Sequence, residues 1–402
     1  MGIKTIEEIV SFRELSPEIP STTYASHGMY YHPARFIPQV VSWFLNTYTR
    51  EGDWVVDPFA GGGTLAVECL ITNRNAVCLD LNPLMENLLV AKTCIVDNYS
   101  KLAEFENRVV NSSQPYRPKW SRIDYWYHPE ILKVMERMWG AYYESPSPLG
   151  LLALFKTSRR FSYADDEVPK IFGSRRKRKE IDEQIVVSDF KNMIREYFSK
   201  SLRKLFNDSL EFAKYYKGGK YIAKGGIDLP YYELDCEIDH LITSPPYGRA
   251  HEYIRSFKLE LAWLGYDDRQ ITDLIGKEIP YRKLTPDIDA VRIESKTYEL
   301  YRRKIDAKLL RDYDCYFKSV IKGLEKVLSK VTGYAAIFVG NATYGGIEPP
   351  YQDIFKEHFV NKGFVEERIL IDLIKSRKLF RGRRNLSPNG IEREYLLVLK
   401  AP

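Results

Sequence analysis

The sequence predicts an α/β fold in which a mostly parallel sheet is covered by crossover helices. Two short apolar runs, at residues 53–57 and 76–80, each end in an aspartate. A glycine-rich turn at residues 61–63 follows the first run, and apolar residues at helical spacing follow both runs. This alternation of strand, turn and helix is typical of parallel sheets, because parallel neighbours need a long crossover connection.

The remaining elements follow from the apolar spacing along the chain. Residues 1–30 are polar and irregular, and we expect an arm there. The predicted helices cover residues 34–50, 64–74, 83–95, 252–275 and 312–330. The predicted strands cover residues 53–57, 76–80, 236–243, 334–341, 364–372 and 393–400.

The rhythm breaks between residues 100 and 215, where the chain is charged, aromatic and mostly helical in pattern. We therefore divide the chain into an arm with the first half of the α/β domain (1–98), a mostly helical insertion (99–215) and the second half of the α/β domain (216–402). The insertion contains five consecutive basic residues, Arg175 to Lys179.

Composition is that of an ordinary globular protein, since 44% of the 402 residues are hydrophobic and 28% are charged. The net charge of +6 permits nucleic-acid binding without requiring it. Five cysteines without a CxxC pair fit reduced thiols and give no support to a metal site. The first residues lack an apolar signal region, and no run of about 18 apolar residues occurs. We expect a cytoplasmic protein with no membrane partner.

Two motifs carry chemistry. The first, DPFAGGGT at residues 57–64, lies where a strand ends and a helix begins, which is where ligands bind in open α/β sheets. Asp80 ends the next strand and can hydrogen-bond ribose hydroxyls. The alternative is a tight βα turn with a surface aspartate. The second motif, SPPYG at residues 244–248, follows an apolar strand, and it offers oxygen acceptors to an amino group and a ring for stacking. The alternative there is a purely structural turn.

Together the two motifs resemble those of the DNA amino-methyltransferases, which methylate N4 of cytosine or N6 of adenine. DPFAGGGT matches the family's cofactor loop, DPFxGxGT, and SPPY matches its catalytic tetrapeptide, (D/N/S)PP(Y/F). Residues 27–38, HGMYYHPARFIP, resemble the segment that such enzymes place before the loop. The resemblance covers roughly residues 24–95 and 220–400.

The resemblance implies a Rossmann-like methyltransferase fold, with a mostly parallel seven-stranded sheet and an antiparallel C-terminal strand. It also implies S-adenosylmethionine as cofactor, with Asp80 at the ribose and Asp228 at the adenine amino group. The implied cofactor-binding residues are His32, Pro33, Asp57, Pro58, Phe59, Gly61, Gly63, Thr64, Asp80, Asn82 and Asp228.

The same resemblance assigns the catalytic turn to Ser244, Pro245, Pro246 and Tyr247. Ser244 and the Pro245 carbonyl would accept hydrogen bonds from the target amino group, and Tyr247 would stack on a base flipped out of the duplex. Serine in the first position favours N4 of cytosine. Methylation of adenine N6 in DNA, of a base in RNA, and a degenerate DNA-binding subunit remain alternatives.

The implied partner is double-stranded DNA, with a restriction endonuclease of the same site as a candidate second partner. The motif order makes the insertion a candidate target-recognition region, and residues 250–310 a candidate second DNA-contacting segment. Arginines suit phosphate contacts. The predicted DNA-binding residues are Arg159, Arg160, Arg175, Arg176, Arg178, Arg249, Arg381, Arg383 and Arg384.

Overall fold

A single eight-stranded sheet organises the α/β part of the protein. The computed structural model describes residues 7–33, 36–166, 171–187, 189–248, 253–281, 284–374 and 392–402. In chain order the strands are β1 Glu7–Val10, β2 Trp54–Asp57, β3 Asn75–Leu79, β4 Tyr221–Lys224, β5 His240–Thr243, β6 Tyr334–Gly340, β7 Val365–Leu373 and β8 Arg393–Lys400.

The strand order across the sheet is β1-β7-β8-β6-β5-β2-β3-β4. All pairings are parallel except those of β8, which runs antiparallel to both β6 and β7. The predicted mostly parallel sheet with an antiparallel C-terminal strand is therefore confirmed. The sheet has eight strands instead of the expected seven, because residues of the expected arm form β1 at one edge, paired in parallel with β7.

Sixteen α-helices occur in the described residues, and those after β2, β3 and β5 provide the expected crossovers. They are α1 Pro38–Tyr48, α2 Thr64–Ile71, α3 Leu84–Lys92, α4 Ser100–Asn111, α5 Ile123–Trp126, α6 Pro129–Glu144, α7 Pro148–Arg160, α8 Arg175–Val187, α9 Phe190–Tyr215, α10 Tyr253–Ser256, α11 Lys258–Trp263, α12 Asp268–Gly276, α13 Pro286–Asp289, α14 Lys296–Arg302, α15 Ala307–Leu328 and α16 Tyr351–Asn361.

Helices cover both faces of the sheet. Successive residues of one strand point to opposite faces, so Val55 and Val56 of β2 enter different apolar clusters. One cluster packs the sheet against α1, α2 and α3, and the other packs it against α15 and α16. Both faces of a parallel sheet are expected to be buried in this way.

A third apolar cluster holds the helical part together. It joins α4 to α9, which occupy the predicted insertion, to α10, α11 and α12, which follow the SPPYG motif. The Trp139 and Trp263 rings stack with centroids 5.3 Å apart, and the Trp263 indole N–H donates to the Tyr127 hydroxyl at 2.9 Å. The insertion and the helices after the motif therefore share one core. No helix within the described residues is long and apolar enough to cross a membrane.

Candidate active site

The glycine-rich loop connects β2 to α2 in a conformation that alanine would strain. Gly61 and Gly63 have φ angles of +48° and +75°, a region that side chains other than glycine rarely adopt. A Cβ on Gly63 would lie 2.1 Å from Cδ2 of Leu89, and one on Gly61 would lie 2.9 Å from the His32 ring. Leu89 and His32 therefore pack against the loop on two sides, and the loop backbone stays accessible to a ligand.

Asp80 fastens this loop to the end of β3. One carboxylate oxygen accepts the Gly61 N–H at 2.7 Å, and the other accepts the Asn82 N–H at 2.7 Å. Burial raises the pKa of Asp80 to about 6, although the two N–H donors act in the opposite direction. Each oxygen keeps a second lone pair, so the carboxylate can still accept a hydrogen bond from a ligand hydroxyl.

Asp57 connects the glycine loop to the SPPYG motif. A single oxygen of its buried carboxyl accepts the Phe59 N–H at 3.0 Å and the Thr243 hydroxyl at 2.6 Å. Burial raises the pKa of Asp57 to about 7, against the effect of these donors. Since Thr243 directly precedes Ser244, the two motifs are held in a fixed relation by one side chain.

The turn at residues 244–248 is anchored at its far end. The Tyr247 hydroxyl donates to the Glu394 carboxylate at 3.0 Å, which fixes the ring against the start of β8. Gly248 packs against the Tyr344 and Tyr351 hydroxyls, which are buried and hydrogen-bonded to each other. Any side chain at position 248 would meet these hydroxyls, so the glycine allows the turn to lie on the sheet.

A cleft of about 860 Å³ runs from the glycine loop to this turn. Its wall includes eight of the predicted site residues: His32, Pro58, Phe59, Gly61, Asp80, Asn82, Ser244 and Pro246. The other predicted residues do not line the cleft and instead support these residues or lie beside them. They are Pro33, Asp57, Gly63, Thr64, Asp228, Pro245 and Tyr247. The Asp228 carboxyl is bound by the Tyr281 hydroxyl, and only its neighbours Ile227 and Leu229 reach the cleft wall.

Several cleft residues carry no motif in the sequence. Tyr253 and Ile254 of α10, with Lys277, Glu278 and Ile279 after α12, close the side opposite the glycine loop. Phe257 stacks on His32 with centroids 5.2 Å apart. The fully buried Lys92 donates from its ammonium group to the Gly62 carbonyl at 2.6 Å. No local sequence signal distinguishes this lysine from a surface one.

The predicted DNA-binding arginines have different surroundings. Arg159 is mostly buried, where it binds the Glu260 carboxylate at 3.2 Å and the Ser256 carbonyl at 3.0 Å. Arg160 pairs with Asp166 at 3.0 Å, and Arg176 pairs with Glu180 at 3.6 Å. Arg175 and Arg178 are exposed on α8. Phosphate contact by these five stays a prediction. Arg249, Arg381, Arg383 and Arg384 lie outside the described residues.

Comparison with known proteins agrees with the first motif. A family model described as DNA methylase matches residues 12–90, the part that carries the glycine loop and Asp80. The Type II methyltransferase M.MvaI of Kocuria varians is 26% identical over 268 residues, which is 61% of this chain and 58% of that protein. The family model and these relatives support the DNA amino-methyltransferase family.

Two further relatives of this family extend the match. The Type II methyltransferase M.AvaI of Nostoc is 24% identical over 320 residues, 73% of this chain and 63% of that protein. M.MjaII of Methanocaldococcus jannaschii is 26% identical over 167 residues, 36% of this chain and 31% of that protein. The chain therefore spans between about a third and two thirds of the length of these three relatives.

Methyltransferases of this family use S-adenosylmethionine as methyl donor. The residues of the cleft fit that molecule. The tight glycine backbone allows close approach, and the Asp80 carboxylate offers an acceptor for hydroxyls. Within the described residues, no group of three or more His, Cys, Asp or Glu side chains is placed to hold a metal ion.

Proposed function

We propose that this protein methylates an exocyclic amino group of a base in double-stranded DNA, with N4 of cytosine as the target. One observation carries the proposal: Ser244 and Pro246 line the same cleft as Gly61, Asp80 and Asn82. A donor held along the glycine loop and an amino group held at the serine would therefore meet within one cavity.

The protein would promote the reaction by aligning the two reactants and by accepting hydrogen bonds from the amino group. An aromatic amino group is a poor nucleophile because its lone pair is delocalised into the ring. Acceptors at the Ser244 hydroxyl and the Pro245 carbonyl would favour a tetrahedral nitrogen and direct its lone pair towards the methyl group. S-adenosylmethionine would supply that methyl group from its positively charged sulfonium sulfur.

Asp57 contributes by keeping the two halves of the site in register. Because its carboxyl binds both Phe59 and Thr243, a shift of the glycine loop would be transmitted to Ser244. Tyr247 would stack on the flipped base, and stacking of this kind is worth about 1–3 kcal/mol. The Glu394 hydrogen bond would hold the Tyr247 ring in place before the base arrives.

The helical part formed by α4 to α12 is our candidate for the target-recognition region. The contacts favour this because α10 begins six residues after Tyr247 and packs in the same core as the insertion. Residues 250–310 would then contribute to the DNA surface through α10, α11 and α12, and the boundaries 99–215 would describe only part of the region.

The test is nucleoside analysis of DNA from a host free of methylation. Wild-type protein, Ser244→Ala and the exposed control Ser329→Ala would be expressed in parallel, and the DNA would be digested for mass spectrometry. We expect N4-methylcytosine with the wild type and the control, and a loss of about 100-fold or more with Ser244→Ala.

Other results would change the proposal in defined ways. N6-methyladenine in place of N4-methylcytosine would contradict the interpretation of Ser244 and leave the DNA amino-methyltransferase activity intact. Methyl transfer to bulk RNA and not to DNA would refute the DNA substrate. Equal product from Ser244→Ala and the wild type would refute the catalytic role of the serine.

A further inference from the structure

Tyr125 presents a fixed aromatic ring on the surface of the helical part. Its side chain is 49% exposed, yet the ring packs edge-on against Trp126 with centroids 5.0 Å apart. The backbone at Gly173 lies against its hydroxyl, where a Cβ would be 2.8 Å from the oxygen. A ring held in this way loses little conformational entropy when a partner binds.

Two guanidinium groups converge on this ring. Arg122 and Arg178 lie 5.8 Å and 5.6 Å from its centroid, and Arg178 also lies 4.2 Å from the Tyr163 ring. Both arginines are exposed. Within the described residues, neither has a carboxylate at salt-bridge distance. The pKa of Asp268 is lowered mainly by the hydrogen bonds from Ser121, and the charge of the nearby Arg122 lowers it further.

Other basic residues of this region form ion pairs with carboxylates, which distinguishes them from Arg122 and Arg178 in the described part of the chain. Arg117 pairs with Asp124 at 2.6 Å, and Lys179 pairs with Glu183 at 3.8 Å. Two cations drawn to one ring repel each other, and an anion between them relieves that repulsion. Arg178 donates from Nη2 to the Tyr125 carbonyl at 3.3 Å. The other N–H groups of the two guanidiniums can bind a phosphate, which arginine holds in a bidentate manner.

Helix α12 connects this group to the cleft. Next to Arg122, Ser121 binds the Asp268 carboxylate through both its N–H and its hydroxyl, at 2.8 and 2.9 Å. Asp268 begins α12, and Lys277 follows the end of that helix in the cleft wall. The group is therefore attached to a helix whose other end contributes to the cleft.

We propose that Arg122, Tyr125 and Arg178 form a phosphate-binding platform for duplex DNA, outside the cleft that holds the target base. The proposal rests on the proposed function, and it adds residues that the sequence did not indicate, Arg122 and Tyr125. The platform binds the DNA backbone without reading sequence, and it sets the register of the duplex on the protein.

The experiment measures how binding of a mixed-sequence duplex depends on salt, by fluorescence anisotropy over a range of KCl concentrations. The double variant Arg122→Gln with Arg178→Gln should lower the slope of log K against log [salt] by about 2, since each phosphate contact contributes about 0.9. Arg108→Gln, an exposed arginine of α4, is the matched control and should leave the slope unchanged.

Tyr125 provides a second, independent variant pair. Tyr125→Ala removes the ring that orders both guanidiniums and should weaken binding at low salt, whereas Tyr125→Phe keeps the ring and should bind as the wild type does. Calorimetric titration with S-adenosylmethionine checks that each variant keeps an intact cleft.

Two results would overturn the platform. The first is a double variant that binds S-adenosylmethionine and shows the wild-type salt slope. The second is a Tyr125→Phe variant that binds DNA as weakly as Tyr125→Ala. A wild-type protein that binds S-adenosylmethionine and no duplex DNA would instead refute the proposed function, and the platform with it.

Discussion

Replacing Gly63, the last residue of the glycine-rich loop, by alanine tests whether this position must be glycine. Gly63 caps α2 with φ +75°, and Cδ2 of Leu89 lies 2.1 Å from the position a Cβ would take. Leu89 is fully buried and cannot swing into solvent. Gly63→Ala therefore meets two separate penalties, one from the backbone conformation and one from overpacking.

The two penalties have different magnitudes and can be separated. A left-handed backbone costs an alanine about 1–2 kcal/mol. Overpacking of a filled core costs about 1–3 kcal/mol. We expect Gly63→Ala to lower the free energy of unfolding by about 2–5 kcal/mol. Gly226 has φ +72° with no atom within 4 Å of its would-be Cβ, so Gly226→Ala carries the backbone penalty alone.

A double variant identifies the overpacking atom. Leu89→Ala alone should cost about 2–5 kcal/mol through the cavity it leaves. Combined with Gly63→Ala, the added methyl occupies part of that cavity, and the loss should be smaller than the sum of the single losses. Urea denaturation with linear extrapolation measures the wild type and the four variants. Additive losses, or a Gly63→Ala no less stable than Gly226→Ala, would refute this account of the loop.

Two further predictions concern buried charges. Burial raises the pKa of Asp57 from its ordinary 3.8 to about 7, so its protonated form stabilises the fold fully below about pH 4, and this contribution is lost as the pH rises through about 7. The melting temperature of the wild type should therefore fall relative to that of Asp57→Asn as the pH rises from about 4 to about 7. A constant difference between the two proteins would contradict the raised pKa. Arg159→Gln should destabilise the protein by about 3 kcal/mol, because it leaves the buried Glu260 carboxylate with the Tyr30 hydroxyl but without a cation. Its DNA salt slope should equal that of the wild type, and a lower slope with unchanged thermal stability would return Arg159 to the DNA surface.

The sequence predicted the parts of the site that depend on local chemistry. Strand ends, glycine turns and the proline turn are encoded by neighbouring residues, so the sequence indicated the glycine loop, Asp80 and the serine turn, which the structure places along one cleft. Glu7–Val10 was missed as a strand because it is a short edge segment with mostly exposed side chains. Its pairing depends on β7, more than 350 residues later in the chain.

Contacts between distant residues could not be predicted in the same way. The partner of Asp57 is Thr243, 186 positions away, and nothing in either segment indicates the other. Arg159 and Arg160 are adjacent and identical in type, yet one is mostly buried against Glu260 and the other pairs with Asp166 near the surface. A run of basic residues therefore does not indicate which guanidiniums remain available to DNA.

The core shared by the insertion and α10 to α12 limits how new specificities could be obtained by recombination. A graft of residues 99–215 from a relative would bring in one side of the Trp139–Trp263 stack and leave the other side to the host chain. The two sides would have to match in shape, or the graft would have to include the helices after the catalytic turn. If the helical part is the recognition region proposed above, an exchange of specificity would require residues 99–215 and α10 to α12 to be replaced together.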